Sequence, residues 1–223
     1  MARALGRPAV AVLICILGMS LAPGASAAPV AAHWAMDETS GTTAFDDSGH
    51  GINATLTNVT LGQPGATGGS GDHSYLFDST SKMVIPKALG GLTPGTLPVT
   101  ITMQVRTTHR PGTGNFDFDM WSESGYQLEI YPRKGLAQAR CKFKSSTQKI
   151  VIQDGPDLID NQWHTIGCHK DSSGVSLIVD GRSFTHAGNM GALKPSGTGY
   201  VGIGSDGHDH YLGQMDDVTV EIG

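Results

Sequence analysis

The chain has 223 residues, of which 39% are hydrophobic, 6% aromatic and 16% charged, with a formal net charge of −5. That length suffices for one domain with a substantial core. The acidic balance, with no basic run and no GxxxxGK-S/T loop, argues against nucleic acid or an anionic membrane surface as the main partner.

In chain order, residues 1–27 come first and read as a signal peptide. Arg3 and Arg7 give a basic start, "AVAVLICILGMSLA" an apolar run, and Ala25-Ser26-Ala27 a small-x-small cleavage signal. The run is too short, and too closely followed by that signal, for a membrane span. Cleavage after Ala27 is expected, which makes the protein secreted and leaves residues 28–223 as one domain. The leader takes with it two of the 15 basic residues and none of the 20 acidic ones, so the mature charge is −7. The alanine-rich leader has the style of a bacterial export signal.

Beyond residue 27, helix periodicity is nearly absent, and the 31 glycines punctuate short apolar runs. "VAAHWAM" puts Ala32, Trp34 and Met36 on one face. "NATLTNVTL" reads as one strand before the glycine-rich "GQPGATGGSG". "HSYLFD" and "KMVIP" read as a hairpin through Ser79–Ser81. In "VTITMQVRT", Val99, Ile101, Met103 and Val105 alternate with polar residues. "YQLEIYP" and "GLAQARCKF" are joined through Pro132–Gly135, with Ala139, Cys141 and Phe143 on one face and Arg140, Lys142 and Lys144 on the other. "KIVIQD", "QWHTIGCHK" and "VSLIVDG" follow, and Asp180-Gly181 is a primed-turn hairpin pair. "GYVGIG" and "QMDDVTVEI" close the chain. About a dozen short strands without crossover helices predict an all-β fold of two antiparallel sheets packed face to face.

Cys15 leaves with the leader. Cys141 and Cys168 remain, an even pair in an exported chain, and are expected to form a disulfide between neighbouring strands or across the core. A closed loop of about 28 residues is worth roughly 3.6 kcal/mol in the chain-entropy account.

Three segments carry a family resemblance: "AHWAMDETSGTTAFDDSGHGINATL", "NQWHTIGCHKDSSGVSLIVDG" and "YLGQMDDVTV". In order and spacing they resemble the opening strand, the Trp-His and Val-Asp-Gly strands, and the closing Asp-Asp strand of laminin-G-like, concanavalin A-type lectin and glucanase domains. The resemblance implies a jelly-roll sandwich of about 12 to 14 strands over residues 28–223. It also implies that Trp34 and Trp163 are core residues and that His164 is structural. It says much less about activity, since the fold carries lectins, adhesion modules and enzymes.

No catalytic residue is assigned. Retaining glucanases of this fold carry a Glu-x-Asp-x-x-Glu strand whose acids share a face. "NFDFDMWSES" offers Asp117, Asp119 and Glu123 without the leading glutamate, and "YQLEIYP" offers only Glu129, so these read as solvated acids. The arginine-rich and Gln-x-His strands of lyases on this fold are missing, as is a GxSxG elbow.

In "SDGHDHYLGQMDD", His208 and His210 supply two ligands where zinc sites use three or four. With no HExxH or CxxC elsewhere, the stretch reads as a polar surface loop. Asp216 shares strand parity with Val218, Val220 and Ile222 and is expected to point inward. The resemblance makes it a ligand of a structural Ca2+, with Asp37 or a nearby backbone oxygen. The alternative is that Asp216 only accepts backbone amide hydrogen bonds from the neighbouring strand.

The reading that follows is a secreted, non-enzymatic, monomeric module that binds an extracellular glycan or glycoprotein. Its ligand-binding candidates are the aromatics Trp121, Tyr126, Tyr131 and Tyr211, with His208, Asp209 and His210 beside them. A protein-binding adhesion module and a glycan hydrolase or lyase with an unfamiliar site are the rivals. Asn53 and Asn58 begin glycosylation sequons, which matter only in a glycosylating host.

Overall fold

The computed structural model describes residues 28–86, 92–112, 117–195, 197–204 and 206–223. The expected signal segment lies outside them. Among them no helix is long and apolar enough to cross a membrane. The strands are β1 (Val30–Trp34), β2 (Thr43–Ala44), β3 (Ala54–Thr57), β4 (Thr60–Pro64), β5 (His73–Phe77), β6 (Lys82–Ile85), β7 (Val99–Arg106) and β8 (Phe118–Ser122). They continue with β9 (Tyr126–Arg133), β10 (Leu136–Lys144), β11 (Lys149–Asp154), β12 (His164–Lys170), β13 (Gly174–Val179), β14 (Arg182–Ala187), β15 (Gly199–Val201) and β16 (Gly213–Ile222).

They form two eight-stranded sheets. One runs β14-β13-β12-β7-β16-β5-β4, with β1 also on β16, and the other runs β11-β10-β9-β8-β15-β6-β3-β2. All pairings between named strands are antiparallel. This is the expected jelly-roll sandwich.

Alternation places the core. Val99, Ile101, Met103 and Val105 of β7 are buried, as are Ala139, Cys141 and Phe143 of β10 and Val175, Leu177 and Val179 of β13. Trp34 packs at 6.2 Å from Trp121, whose ring stacks on Tyr126 at 6.0 Å. The Asp180-Gly181 turn has φ of 48° and 77°, the positive pair that a primed hairpin needs. Cys141 on β10 and Cys168 on β12 are bonded across the sandwich, with Cα atoms 5.7 Å apart.

Three expectations change. "NATLTNVTL" is two strands, β3 in one sheet and β4 in the other, with Asn58 at φ 52° between them. Its short polar side chain tolerates the left-handed conformation that turns the chain from layer to layer. Likewise β5 and β6 are not a hairpin, because they lie in opposite sheets. The Asp78–Ser81 corner is closed by Ser81 N–H donating to Asp78 O, and Asp78 Oδ1 accepts from Thr80 and Ser81. Trp163 is half-buried rather than core, with the Arg106 guanidinium 5.1 Å from its ring centre.

Candidate functional site

The site is built on the outer face of the second sheet. Phe118, Leu128 and Ile130 face the core, so Asp119 of β8 and Gln127, Glu129 and Tyr131 of β9 face outward. A bulge between Asp119 and Trp121 keeps both Phe118 and Trp121 facing inward while Asp119 stays outward, opposite Glu129. Glu129 in turn lies opposite Arg140 on β10, and Gln127 opposite Lys142.

These residues, with Asp117, Tyr131, Asp206 and Asp209, line a pocket of about 300 Å3. Arg140 bridges Asp117 and Glu129 and lies 3.5 Å from the Tyr131 ring centre. Lys142 Nζ is 2.8 Å from Glu129 Oε1. Five acidic and two basic side chains line the pocket, and both cations are engaged by Glu129 or Asp117.

The loop after β15 closes one wall. Asp119 N–H donates to Asp209 O at 3.0 Å, Gly204 N–H to His208 O at 2.8 Å, and Tyr211 N–H to Gly202 O at 3.0 Å. Asp209 has φ 58°, so its carbonyl turns toward β8. Gly204 is required by contact: a Cβ there would meet Asp119 Oδ2, His208 O and Asp206 Oδ1 at 2.6, 2.8 and 2.9 Å.

Asp117 and Asp119 are only 8% and 6% exposed, so the expectation of solvated acids is corrected. Burial and the Glu129 charge push Asp117 up to about 6 against the pull of Arg140. Burial, then Glu129 and Asp117, hold Asp119 well above the usual carboxylate range. Carboxylate oxygens of Asp117, Asp119 and Asp209 lie within 4.8 Å of one another, and Asp119 Oδ1 is buried without a hydrogen-bond partner.

A second pocket of about 360 Å3 adjoins the first through Gln127 and Lys142. Lys144, Lys149 and the buried Glu123 also line it. Burial pushes Glu123 up to about 7.

The sequence candidates divide. Tyr131, Asp209 and, on the same loop, His208 and His210 stand at or beside the pocket. Trp121, Tyr126 and Tyr211 are corrected to core residues, fully buried. Tyr126 donates to Leu92 O at 2.7 Å and Tyr211 to Gln214 O at 2.8 Å. Aromatic identity marked all four alike, and only strand register and burial separate Tyr131 from the rest.

Both ring nitrogens of His164 are engaged by carboxylates. Nδ1 lies 2.8 Å from Asp180 and Nε2 3.1 Å from Asp160. Burial alone would lower it, but those two carboxylates outweigh burial and raise it.

Asp216 is 1% exposed, but not for the reason that parity gave. A bulge between Asp216 and Thr219 shifts the register, so Met215 opposes Val105 while Asp216 opposes the outward Gln104. Asp216 is therefore on the outer side of its sheet. Its Oδ2 accepts Ala66 N–H from the β4–β5 loop at 2.8 Å, and its Oδ1 is buried without a partner. Asp37 is exposed and accepts His73 N–H at 2.7 Å.

Two antiparallel sheets carrying a charged outer pocket define a concanavalin A-like sandwich. The chain belongs to the Laminin_G_3 family, described as the concanavalin A-like lectin/glucanases superfamily, whose family model matches residues 77–221. No curated protein matches the sequence. Among solved structures it is similar to domain 4 of AbnA, a GH43 extracellular arabinanase from Geobacillus stearothermophilus, in complex with arabinotriose. There the identity is 14% and the TM-score 0.63, over 88% of this chain and 93% of that one. It is also similar to the receptor binding domain of botulinum neurotoxin mosaic serotype C/D, with 12% identity and TM-score 0.61, over 86% and 47%. Mouse laminin alpha1 domains LG4-5 match at 18% identity and TM-score 0.53, over 66% and 40%. The chain thus spans about half or less of the neurotoxin and laminin chains, and at these identities the likeness bears on the fold.

Proposed function

We propose that the protein is a secreted, non-enzymatic carbohydrate-binding module whose ligand lies on the outer face of β8–β10. The observation that carries this reading is the pocket itself. Carboxylates, guanidinium, ammonium and amide groups converge around Tyr131 on rigid strands, the mix of hydroxyl acceptors, donors and aromatic surface that sugars use. The arabinotriose held by the similar arabinanase domain supports the ligand class. The adjoining Lys144 and Lys149 would favour a glycan that carries an anionic group. The Cys141–Cys168 disulfide fits an oxidising, extracellular setting.

A structural calcium on Asp216 belongs to the same proposal. The orphaned Oδ1 suits a hard cation, and Asp216, not the distant pocket, would hold it. Asp37, whose Oδ1 accepts His73 N–H, would be the second protein ligand.

The test is binding of the purified protein to a glycan panel, with calcium and again with chelator, beside Tyr131→Ala. Selective binding that Tyr131→Ala weakens at least tenfold would support the reading. Silence across the panel would move the assignment to a protein partner. Release of reducing ends or unsaturated sugars would overturn the non-enzymatic part.

A further inference from the structure

We infer that the sugar site continues along β9 and β10 into an anion subsite formed by Lys144, Lys149 and Lys194, so that its ligand is an extended glycan chain with a sulfate, phosphate or carboxylate substituent at that end. This rests on the sugar-binding reading of the Tyr131 pocket and narrows the substrate class of the same site. The Tyr131 pocket adjoins the second pocket through Gln127 and Lys142, and the second adjoins a third, of about 390 Å3, through Ser124 and Lys144. Ser145, Ser146, Ala192 and Lys194 complete the third. Tyr131 opposes Gln138, six residues before Lys144 on β10, so the run measures about 20 Å at the rise of an antiparallel strand. That length exceeds one sugar unit and suits a chain.

The two ends of this run differ in charge. Beside Tyr131, carboxylates answer both cations. At the far end, the salt bridges of the described residues engage none of Lys144, Lys149 and Lys194, and all three are exposed. The one acid lining that end is Glu123. Burial pushes it up to about 7, so below that pH it stays neutral and cancels none of the three charges. The lysines stand on connections that are tied together, where the β8–β9, β10–β11 and β14–β15 turns meet. Lys144 N–H donates to Gly125 O at 2.8 Å, Ser145 N–H to Gln148 O at 2.9 Å, and Gln148 Nε2 to Asn189 O at 2.6 Å. Gly125 sits against Pro195, whose N and Cδ would lie 3.4 Å from a Cβ there. The backbone beneath the three ammonium groups is thus ordered before any anion arrives, which lowers the entropy lost on binding.

The test compares sulfated, phosphorylated and carboxylated oligosaccharides with their neutral parents, as dimers and octamers, by calorimetry at pH 6 and low salt. At least one anionic octamer should bind at least tenfold tighter than its neutral parent and than its own dimer. The double variant Lys144→Gln/Lys149→Gln should remove that preference and leave the neutral octamer unaffected, while Lys82→Gln on β6 should change neither. Added NaCl should weaken the anionic ligand and spare the neutral one. Anionic octamers that bind no tighter than their neutral parents would overturn the inference, as would a preference that survives the double variant. Neutral binding that still depends on Tyr131 would, in that case, leave the sugar site standing and remove the anion subsite alone. Anionic binding that needs the lysines but not Tyr131, or equal binding of dimer and octamer, would overturn the continuous run.

Discussion

Asp119 and Glu129 stand directly opposite one another across the β8–β9 ladder, and of the two it is Glu129 that is ion-paired, with Arg140 and Lys142. Like charges in that position oppose each other, so the two substitutions should act in opposite directions. Asp119→Asn removes an acid that burial and then Glu129 hold in its protonated form, and should raise Tm at pH 7. Glu129→Gln leaves Lys142 without its carboxylate and Arg140 with Asp117 alone, and should cost about 3 kcal/mol. Denaturant melts of the two variants decide it, and a loss in both would mean that the Asp119–Glu129 contact stabilises the fold.

Trp121 and Tyr131 should respond to truncation in different assays. Trp121 packs between Trp34 and Tyr126, so Trp121→Ala should cost about 3–5 kcal/mol of stability. Tyr131 is half-buried under Arg140, and Tyr131→Ala should cost about 1 kcal/mol while weakening glycan binding. Urea unfolding beside the glycan assay separates them.

His164 gives a signed pH effect. Its folded-state value is raised above 6.5, with burial outweighed by Asp180 and Asp160. The stability it contributes is fully present below about 6.5 and is lost as pH rises through the folded value. The Tm gap between the wild type and His164→Gln should therefore narrow from pH 5.5 to pH 8.5. A gap constant across that range would remove the charged pairing.

Glu123 acts against the fold as pH rises. Burial pushes it from 4.5 up to about 7, so the folded state prefers the protonated acid. Stability falls between those values as pH increases. Glu123→Gln should be more stable than the wild type by about 1–3 kcal/mol at pH 8 and no more stable at pH 4.

Reduction should be felt in both layers, since Cys141 and Cys168 join β10 to β12. The double Cys→Ala variant should lose about 3–4 kcal/mol, measured by denaturant midpoint.

The sequence made the sandwich legible because alternation survives wherever strands are regular, as in Val99–Val105 and Ala139–Phe143. It failed where one residue alters the path. Asn58 moves the chain to the other sheet, and the bulge at Asp216–Thr219 reverses the face that parity assigns. The pocket was only half visible for a related reason. Asp117 and Asp119 stood in view as an incomplete catalytic pair, and Asp209 as part of a histidine-rich loop. Their meeting depends on β15 pairing with β8, a long-range contact that no local spacing encodes.

β16 follows every other strand in sequence yet lies inside its sheet, flanked by β7 on one side and by β1 and β5 on the other. Removing it would leave β7 and β5 with no common partner. A chain therefore cannot close this layer until Gly213–Ile222 is in place.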